Sequence, residues 1–347
     1  MKYCLEEIKN KEIWDGLVSK SADDGFLYSS WSQLWLLGDL ARKAYSASIY
    51  RILLKRDNVP VLMAEIIKCP LFFPLMGFSF LHIASGPIVI KGACEEHLGP
   101  FISKLEEISG LLKDALFLKM ELPWLYSGSL ENFLNKSGFV KSVTAMGLSS
   151  NNVAFLRLDR DISAIMSSMN QATRRQVKIA AAKGVTVRKA GSGQDFDLFW
   201  TLYQRTAKRK NFYTKPYSWC RGIYELSDDF GLSSDIFIAE YQGRAVAALL
   251  AQYYRETAFY TFGGTDIQEK VSPLKLLIWH SIKEAKNRGC VNYNLGHIDE
   301  KKLKDLIQFK NGFGAEEARY VGTYDYYFRP LDKWLSKLIR TIKQNPL

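Results

Sequence analysis

The chain has 347 residues, of which 47% are hydrophobic and 24% are charged, so it can bury a large core and its length favours two domains. No run approaches the roughly 20 apolar residues of a membrane-spanning helix. The amino terminus, MKYCLEEIKNKEIWDG, is unlike a signal peptide, so we expect a soluble protein of the cytoplasm. Five scattered cysteines without a C-x-x-C or a metal-ligand spacing indicate reduced thiols, and no metal site is predicted.

The formal net charge is +11, which favours polyanionic partners such as RNA, phosphorylated nucleotides or an anionic lipid surface. The alternative is that the charge serves solubility alone. The basic residues are grouped around 174–189, around 205–215 and along the carboxyl-terminal tail. This grouping is what we would expect if the chain binds phosphate groups.

The first part of the chain predicts a mixture of helices and strands. We expect a helix over residues 1–25, a second helix in FLYSSWSQLWLLGDLARKAY, and a hairpin in which SIYRILLK and VPVLMAEII flank Asp57-Asn58. Pro and Gly interrupt CPLFFPLMGFSFLHIASGPIVI, which predicts an irregular wall or a strand pair. A helix in EEHLGPFISKLEEISGLLK, a strand in FLKMELP and a helix in SLENFLNKSGF follow.

A second unit is predicted from Asn152. NNVAFLRLD and VTVRK are expected to be strands, DISAIMSSM and NQATRRQVKIAAAKG helices, and DFDLFWTLYQRTAKRKNF a strongly amphipathic helix with a basic end. Three antiparallel strands follow, in DIFIAEYQ, AVAALLAQYY and AFYTFGG. The next helix begins at Pro273 and stops at Gly289, and the strand CVNYNLGHI then leads to a lysine-rich turn that ends in Phe309-Lys310.

The order of these elements predicts an α/β fold of the α+β kind, with acetyltransferase-like (GNAT) domains whose mixed, largely antiparallel sheets are flanked by helices. CoA-dependent proteins of this fold hold a pyrophosphate on a glycine turn ahead of the main helix. The chain reads TDIQEKVSPLKLL at that position, without glycine. A CoA site is therefore poorly supported.

Several segments carry a resemblance to a known family. They are RRQVKIAAAKGV, TAKRKNF, AFYTFGG, SPLKLLIWHSIKEAKNRG, YNLGHI and FKNGFG in the second unit, and the tryptophan at 31, SGP at 85–87, FLKMELP and KSGF in the first. Together they resemble the Fem family of peptidoglycan-bridge aminoacyltransferases, over nearly the whole chain and in order. FKNGFG is the most specific part.

The resemblance implies twin GNAT-like domains, with VGTYDYYF and the tail returning to the first. The first domain would then be residues 1–151 plus 317–347, and the second 152–316. Some family members carry a long helical arm in the second domain. The short connection from Lys215 to Asp235 makes this chain similar to the compact members without one.

The activity that the resemblance implies is transfer of an amino acid from aminoacyl-tRNA to an amine on the stem peptide of a peptidoglycan precursor, lipid-linked or nucleotide-linked. Because an aminoacyl ester is already activated, the enzyme needs only to hold a neutral amine against the ester carbonyl and to stabilise the oxyanion. Neither a cofactor nor a metal is required. Lys310 is expected to supply the positive charge, and Phe309 and Phe313 are expected to keep it aimed.

Other residues are predicted to bind the acceptor. In compact family members a lysine of the first domain and an arginine before a tyrosine-bearing helix grip the sugar-nucleotide, and here those positions are Trp35 and Lys215. Lysine cannot reproduce the two-pronged contact of a guanidinium with phosphate, which leaves a lipid-linked acceptor open. Phe309 is also predicted to bind substrate. The remaining predicted substrate-binding residues are Tyr217, Tyr260, Arg209 close to Lys215, and the pair Gly263-Gly264, which we interpret as a turn.

Two basic segments predict further contacts. Arg174, Arg175, Lys178 and Lys183 lie on one predicted helix and are expected to follow an RNA backbone, with a solvated helix face as the alternative. The tail RPLDKWLSKLIRTIKQ has the apolar stripe and basic rim of an interfacial helix. It predicts peripheral contact with an anionic inner membrane surface, or else docking on the first domain.

Two other functions remain open from the sequence. One is a CoA-dependent N-acyltransferase of the broader GNAT group, acting in polysaccharide or cell-envelope biosynthesis. The other is a binding protein that kept the twin fold without catalysis. We assign no general base, because His297 occupies a position where the family usually has a small residue.

Overall fold

The computed structural model describes residues 2–21, 34–45, 47–71, 77–92, 94–142, 152–225, 231–266, 271–298, 304–330 and 334. These residues form two compact units. Unit 1 contains the described residues up to 142 and those from Arg319 on, and unit 2 contains those from Asn152 to Ala318. No helix among them is long and apolar enough to cross a membrane.

Unit 1 is a mixed sheet with helices beside it. Its strands are β1 (Tyr3–Glu7), β2 (Ser48–Arg56), β3 (Val59–Pro70), β4 (Ser79–Ile83), β5 (Ile88–Val89), β6 (Ala115–Leu125), β7 (Val140–Lys141) and, from Arg319 on, β14 (Glu316–Tyr327). Its helices are α1 (Lys11–Lys20), α2 (Trp35–Tyr45), α3 (Cys94–Lys104) and α4 (Gly128–Lys136). The strands run in the order β1-β2-β3-β4-β6-β14, with β5 against β3 and β7 against β14. β4 and β6 are parallel, and the other described pairs are antiparallel.

The hairpin predicted at Asp57-Asn58 is confirmed. β2 and β3 pair in antiparallel register, and the two turn residues have φ values of 49° and 66°, as a tight hairpin turn requires. The helix predicted over residues 1–25 is wrong at its start, because β1 pairs with β2 and α1 begins only at Lys11. The five residues of β1 are too few to distinguish the helical repeat from the strand repeat in the sequence. Pairing with β2 makes this stretch a strand.

Unit 2 is a second mixed sheet. Its strands are β8 (Asn152–Arg157), β9 (Thr186–Lys189), β10 (Ser233–Tyr241), β11 (Arg244–Tyr254), β12 (Thr257–Thr265) and β13 (Asn292–Ile298), in the order β9-β10-β11-β12-β13-β8. Its helices are α5 (Ile162–Ser168), α6 (Gln171–Ala182), α7 (Gly193–Lys210), α8 (Tyr217–Tyr224), α9 (Pro273–Asn287) and α10 (Lys304–Asn311). The antiparallel meander β10-β11-β12 is confirmed, and the parallel pair is β12 with β13.

The central strands of unit 2 are buried on both faces. On one face of β10, Phe237 and Ala239 belong to the core that includes residues of α6 and α9. Ile236 and Ile238 point to the opposite face and are also buried. Helix α7 packs on β10, β11 and β12. Strands covered on both sides are apolar throughout, which explains why AVAALLAQYY does not alternate.

Helix α7 meets β12 at a glycine. A Cβ atom on Gly264 would lie 2.5 Å from the backbone carbonyl oxygen of Leu202, and one on Gly263 would overlap the hydroxyl of Tyr260. Both glycines pair with β11 inside β12, so their interpretation as a turn is wrong. The pairing skips one residue between Tyr260 and Phe262, and this bulge puts Tyr260 and Gly263 on the same face.

Candidate active site

The parallel strands β12 and β13 pair over only part of their length. Thr257–Phe259 pair with Asn292–Asn294, and the register ends there although both strands continue. Just beyond, the pairing of β13 with β8 shifts, and the Asn294 carboxamide oxygen accepts a hydrogen bond of 2.7 Å from the Gly296 N–H. The backbone of β13 after Asn294 is therefore not paired with β12 in the described part of the chain.

Lys310 contacts the part of β13 that pairs with β8 but not with β12. Its side chain is only 5% exposed, and Nζ donates a hydrogen bond of 2.5 Å to the carbonyl oxygen of His297. Burial lowers the pKa of Lys310 to about 7, since the ammonium loses its hydration and no carboxylate among the described residues offsets the loss. Gly296, with a φ of 83°, leaves space beside Nζ.

The two phenylalanines around Lys310 hold α10 to the core. Phe313 is fully buried, Phe309 is partly buried against the same core, and their ring centroids are 5.5 Å apart. The glycines of FKNGFG permit this packing. A Cβ on Gly312 would lie 2.5 Å from Oγ1 of Thr173, and Gly314, at a φ of 77°, lies against the backbone of Ser168.

A second lysine, Lys275, lies beside Phe309 and was not predicted. Its Nζ is 5.8 Å from the centroid of the Phe309 ring and donates a hydrogen bond of 3.1 Å to Oγ1 of the buried Thr173. Burial lowers the pKa of Lys275. The signal in the sequence is a lysine in the first turn of a helix, where the helix dipole disfavours a cation.

Tyr260 and Gln252 contribute polar groups near the bulge of β12. Burial raises the pKa of Tyr260 to about 12, so its hydroxyl stays protonated. The fully buried Gln252 accepts a hydrogen bond of 2.9 Å from Oγ1 of Thr261, and its amide nitrogen has no partner among the described residues. An unused buried donor is costly, which marks Gln252 as a candidate substrate contact that the apolar run of β11 concealed.

Comparison with known proteins identifies the fold of this arrangement. Residues 166–311 match the family model described as acetyltransferase (GNAT) domain. The crystal structure of FemX is similar over 98% of this chain and 100% of that one, with a TM-score of 0.76 and 16% identity. This chain has a tandem GNAT fold similar to that of FemX. The fold predicted from the Fem-like motifs is therefore confirmed.

Two other solved structures are similar in fold to this chain. A tandem GNAT protein from the clavulanic acid biosynthesis pathway covers 95% of this chain and 99% of its own, with a TM-score of 0.60 and 11% identity. A domain from Agrobacterium fabrum is named as the C-terminal domain of a lysylphosphatidylglycerol synthetase. It is similar over 96% of this chain and 97% of its own, with a TM-score of 0.57 and 11% identity. No curated protein is detectably similar to this chain in sequence.

Three of the residues predicted to bind the acceptor, Arg209, Lys215 and Tyr217, lie between the end of α7 and the start of α8. The Arg209 guanidinium donates to the carbonyl oxygen and to Oγ1 of Thr265, both at 3.0 Å, and so joins α7 to the end of β12. Lys215 lies 5.5 Å above the Trp219 ring. The Tyr217 hydroxyl donates to Asp197 at 2.7 Å, which raises the pKa of Tyr217.

Trp35, predicted from the resemblance to stand where compact Fem proteins have a lysine, is the first residue of α2 in unit 1. Its ring lies 3.5 Å from the Arg51 guanidinium carbon, and Arg51 pairs with Glu65 at 2.9 Å. Burial raises the pKa of Glu65 to about 8. Trp31 and the tail after Pro330, apart from Trp334, lie outside the described residues.

The four predicted RNA-binding residues differ in their surroundings. Arg174 donates to the carbonyl oxygens of Ser167 and Met169 and so fixes the end of α5. Arg175 and Lys178 are exposed on α6, and Lys183 is its exposed C-cap. The exposed members of the set are the ones suited to meeting a phosphate backbone.

Replacing Lys310 by methionine is expected to stabilise the tandem GNAT protein near pH 6. Below about pH 7 the folded chain must bury an ammonium, whereas the unfolded chain keeps its lysine protonated up to a pKa of about 10.4. The unfolded state binds more protons between these values, so the stability of the parent rises with pH across that window. Urea unfolding at pH 6, 8 and 10 should show an advantage of about 2 kcal/mol for Lys310→Met at pH 6 that shrinks by pH 10.

Lys178→Met is the matched control for this experiment, because Lys178 is exposed on α6. Its effect on the free energy of unfolding should be small and independent of pH. If Lys310→Met were the less stable protein at every pH, Lys310 would be a structural contact and not a strained cation.

Proposed function

We propose that this tandem GNAT protein is an aminoacyltransferase that moves an amino acid from aminoacyl-tRNA to an amine of a peptidoglycan-precursor stem peptide and so builds the interpeptide bridge. The observation that carries the proposal is the buried Lys310, held by the His297 carbonyl beyond the point where β12 and β13 stop pairing. Burying a cation without a carboxylate partner destabilises the folded protein. A role in stabilising a transient anion would explain why a lysine stands at this position.

The chemistry needs few groups. The neutral amine attacks the ester carbonyl carbon, a C–N bond forms, and the C–O bond to the ribose breaks. The proton lost by the attacking nitrogen ends on the ribose oxygen, directly or through water. The Lys310 ammonium faces the oxyanion of the tetrahedral intermediate, and its low-dielectric surroundings strengthen that interaction.

The state of Lys310 depends on what is bound. With a pKa of about 7 it is partly neutral at neutral pH in the free chain. A nearby RNA phosphate raises the pKa of a lysine, because an opposite charge favours the ammonium. Binding of the donor therefore charges the residue that the reaction requires.

The relatives support aminoacyl transfer in the cell envelope as the class of reaction. The name of the Agrobacterium fabrum protein denotes a lysyl group joined to phosphatidylglycerol, and FemX shares the whole fold. Fold alone does not choose a substrate. The choice of aminoacyl-tRNA rests on the Fem-like motifs and on the exposed cations of α6.

Acetyl-CoA is the donor in a second candidate function, favoured by the match to a GNAT acetyltransferase model. The start of α9 argues against it. Its first helical residue, Pro273, has no N–H, and Ser272 before it is left-handed with a φ of 51°. Fewer backbone donors are then available to a pyrophosphate at this helix N-terminus.

One assay separates these functions. The protein is incubated with bulk tRNA charged with radiolabelled amino acids, or with radiolabelled acetyl-CoA, and with a lipid-linked or nucleotide-linked precursor. We expect label on the precursor from charged tRNA only, abolished by ribonuclease pretreatment. Label from acetyl-CoA would establish the second function, and no label from either donor would favour a binding protein.

The exposed cations of α6 give a separate prediction about the donor. The double variant Arg175→Gln/Lys178→Gln is expected to raise the KM for aminoacyl-tRNA about tenfold and to reduce the salt dependence of binding by about two counterions. Lys113→Gln/Lys136→Gln removes the same charge from exposed positions of unit 1 and is the matched control. Equal effects of the two variants would show that net charge, not an α6 contact, governs binding.

A further inference from the structure

The loop between α7 and α8, residues 211–216, exposes two consecutive aromatic side chains. Phe212 is 42% exposed and Tyr213 is 80% exposed, which is the largest exposure of any large hydrophobic residue in the described part of the chain. Burying such side chains in water-excluding surroundings is strongly favourable. Their exposure therefore points to a partner.

This α7–α8 loop is held in a fixed position. Its first residue, Asn211, is left-handed with a φ of 53°, and the Phe212 N–H donates to the Ala207 carbonyl oxygen at 3.1 Å. The Phe212 ring lies 5.9 Å from the ring of Tyr203, which is buried. Tyr213 thus projects from a rigid base, and presenting it to a partner needs little further ordering.

The charge around the α7–α8 loop is positive. Residues 206–222 contain five cations and no Asp or Glu, namely Lys208, Arg209, Lys210, Lys215 and Arg221. Lys208 and Lys210 are exposed and have no carboxylate partner among the described residues. Two carboxylates close to this segment already have partners outside the loop, because Asp197 accepts from the Tyr217 hydroxyl and Glu225 pairs with Arg221.

We propose that the α7–α8 loop binds the surface of an anionic lipid bilayer. Phe212 and Tyr213 enter the interfacial region, where aromatic side chains are favoured, and Lys208 and Lys210 contact the anionic headgroups. This loop is a different segment of the sequence from the tail singled out above. It goes beyond the transfer reaction, and it suits an acceptor that is itself anchored in lipid.

The choice of lipid over RNA follows from the kinds of side chain. Lys208 and Lys210, at the end of α7, are exposed lysines, which are mobile point charges suited to a diffuse anionic surface. The one guanidinium at its base, Arg209, is occupied by Thr265. Phe212 has no polar atom with which to read a base.

The test is co-sedimentation of the whole protein with vesicles of phosphatidylcholine alone or mixed with phosphatidylglycerol. We expect binding to the anionic vesicles only, weakened by salt. Phe212→Ser/Tyr213→Ser should weaken that binding at least about tenfold, and Lys208→Gln/Lys210→Gln by a similar factor. Ile162→Ser, which removes an apolar side chain exposed on α5, is the matched control and should bind as the parent does.

Three outcomes would overturn the proposal. They are failure of the parent to bind anionic vesicles, equal binding by the loop variants, and loss by these variants of affinity for charged tRNA instead. Transfer to a nucleotide-linked acceptor in free solution is measured alongside. It should not change in the loop variants, so failure of membrane binding remains distinct from failure of the proposed function.

Discussion

The variant Lys310→Met is expected to lower kcat for aminoacyl transfer by about 10²–10³-fold, while the KM for both substrates changes little. The reason is that the Lys310 ammonium is buried and, among the described residues, its one hydrogen bond goes to a neutral backbone carbonyl. Its charge is left for the oxyanion that forms during the reaction. Single-turnover transfer, measured with charged tRNA in excess over enzyme sites, reports this step directly.

Lys283→Met is the control for this loss. Lys283 is a half-buried lysine on α9 of the same unit, and its replacement should leave kcat within about twofold of the parent. A Lys310→Met protein that is folded and retains transfer within a factor of about three would mean that Lys310 takes no part in the reaction.

The second large effect is structural. Gly264→Ala is expected to reduce the free energy of unfolding by about 3 kcal/mol or more, because the added Cβ would lie 2.5 Å from the Leu202 backbone oxygen. The obstacle is the backbone of a packed helix, so no rotamer change relieves it. Urea unfolding followed by circular dichroism measures the change.

Two other glycines calibrate the effect of Gly264→Ala. Gly191→Ala adds a methyl group where no atom lies within 4 Å, and its stability should stay within about 0.5 kcal/mol of the parent. Gly263→Ala meets only the flexible end of Tyr260 and should cost less than Gly264→Ala. Similar stability of all three variants would contradict the close approach of α7 to β12.

The hydrophobic patterns in the sequence predicted most of unit 2. The run from Pro273 to Gly289 identified α9 and its end, and the turns between DIFIAEYQ, AVAALLAQYY and AFYTFGG identified the meander. These elements are long and carry their own start and stop signals, so local rules suffice for them. Helix α8 was not predicted from the pattern because its eight residues are too few for a helical repeat to stand out, and only the resemblance implied a tyrosine-bearing helix after Lys215.

The site was only partly predictable. Lys310, Phe309 and Phe313 were predicted as site residues from the resemblance of FKNGFG to the family motif. The reason for the first glycine of this motif is structural, since Gly312 packs on Thr173 too closely for a side chain. Lys275 and Gln252 were missed because both sit in apolar runs whose periodicity describes burial and not which polar atom lacks a partner. Gly263 and Gly264 were predicted to form a turn, because two consecutive glycines often do. They lie inside β12, where Gly264 allows the α7 backbone to approach and Gly263 leaves room for the Tyr260 hydroxyl.

The most direct test of the central claim compares two stable RNA ligands of the protein, a minihelix ending in an amide-linked amino acid and one ending in a tetrahedral phosphonate. The first mimics the bound donor and the second mimics the oxyanion. If Lys310 stabilises the oxyanion, Lys310→Met will weaken binding of the phosphonate by about 10²-fold and binding of the amide by less than about threefold. Equal weakening of both ligands, or of neither, would contradict the account.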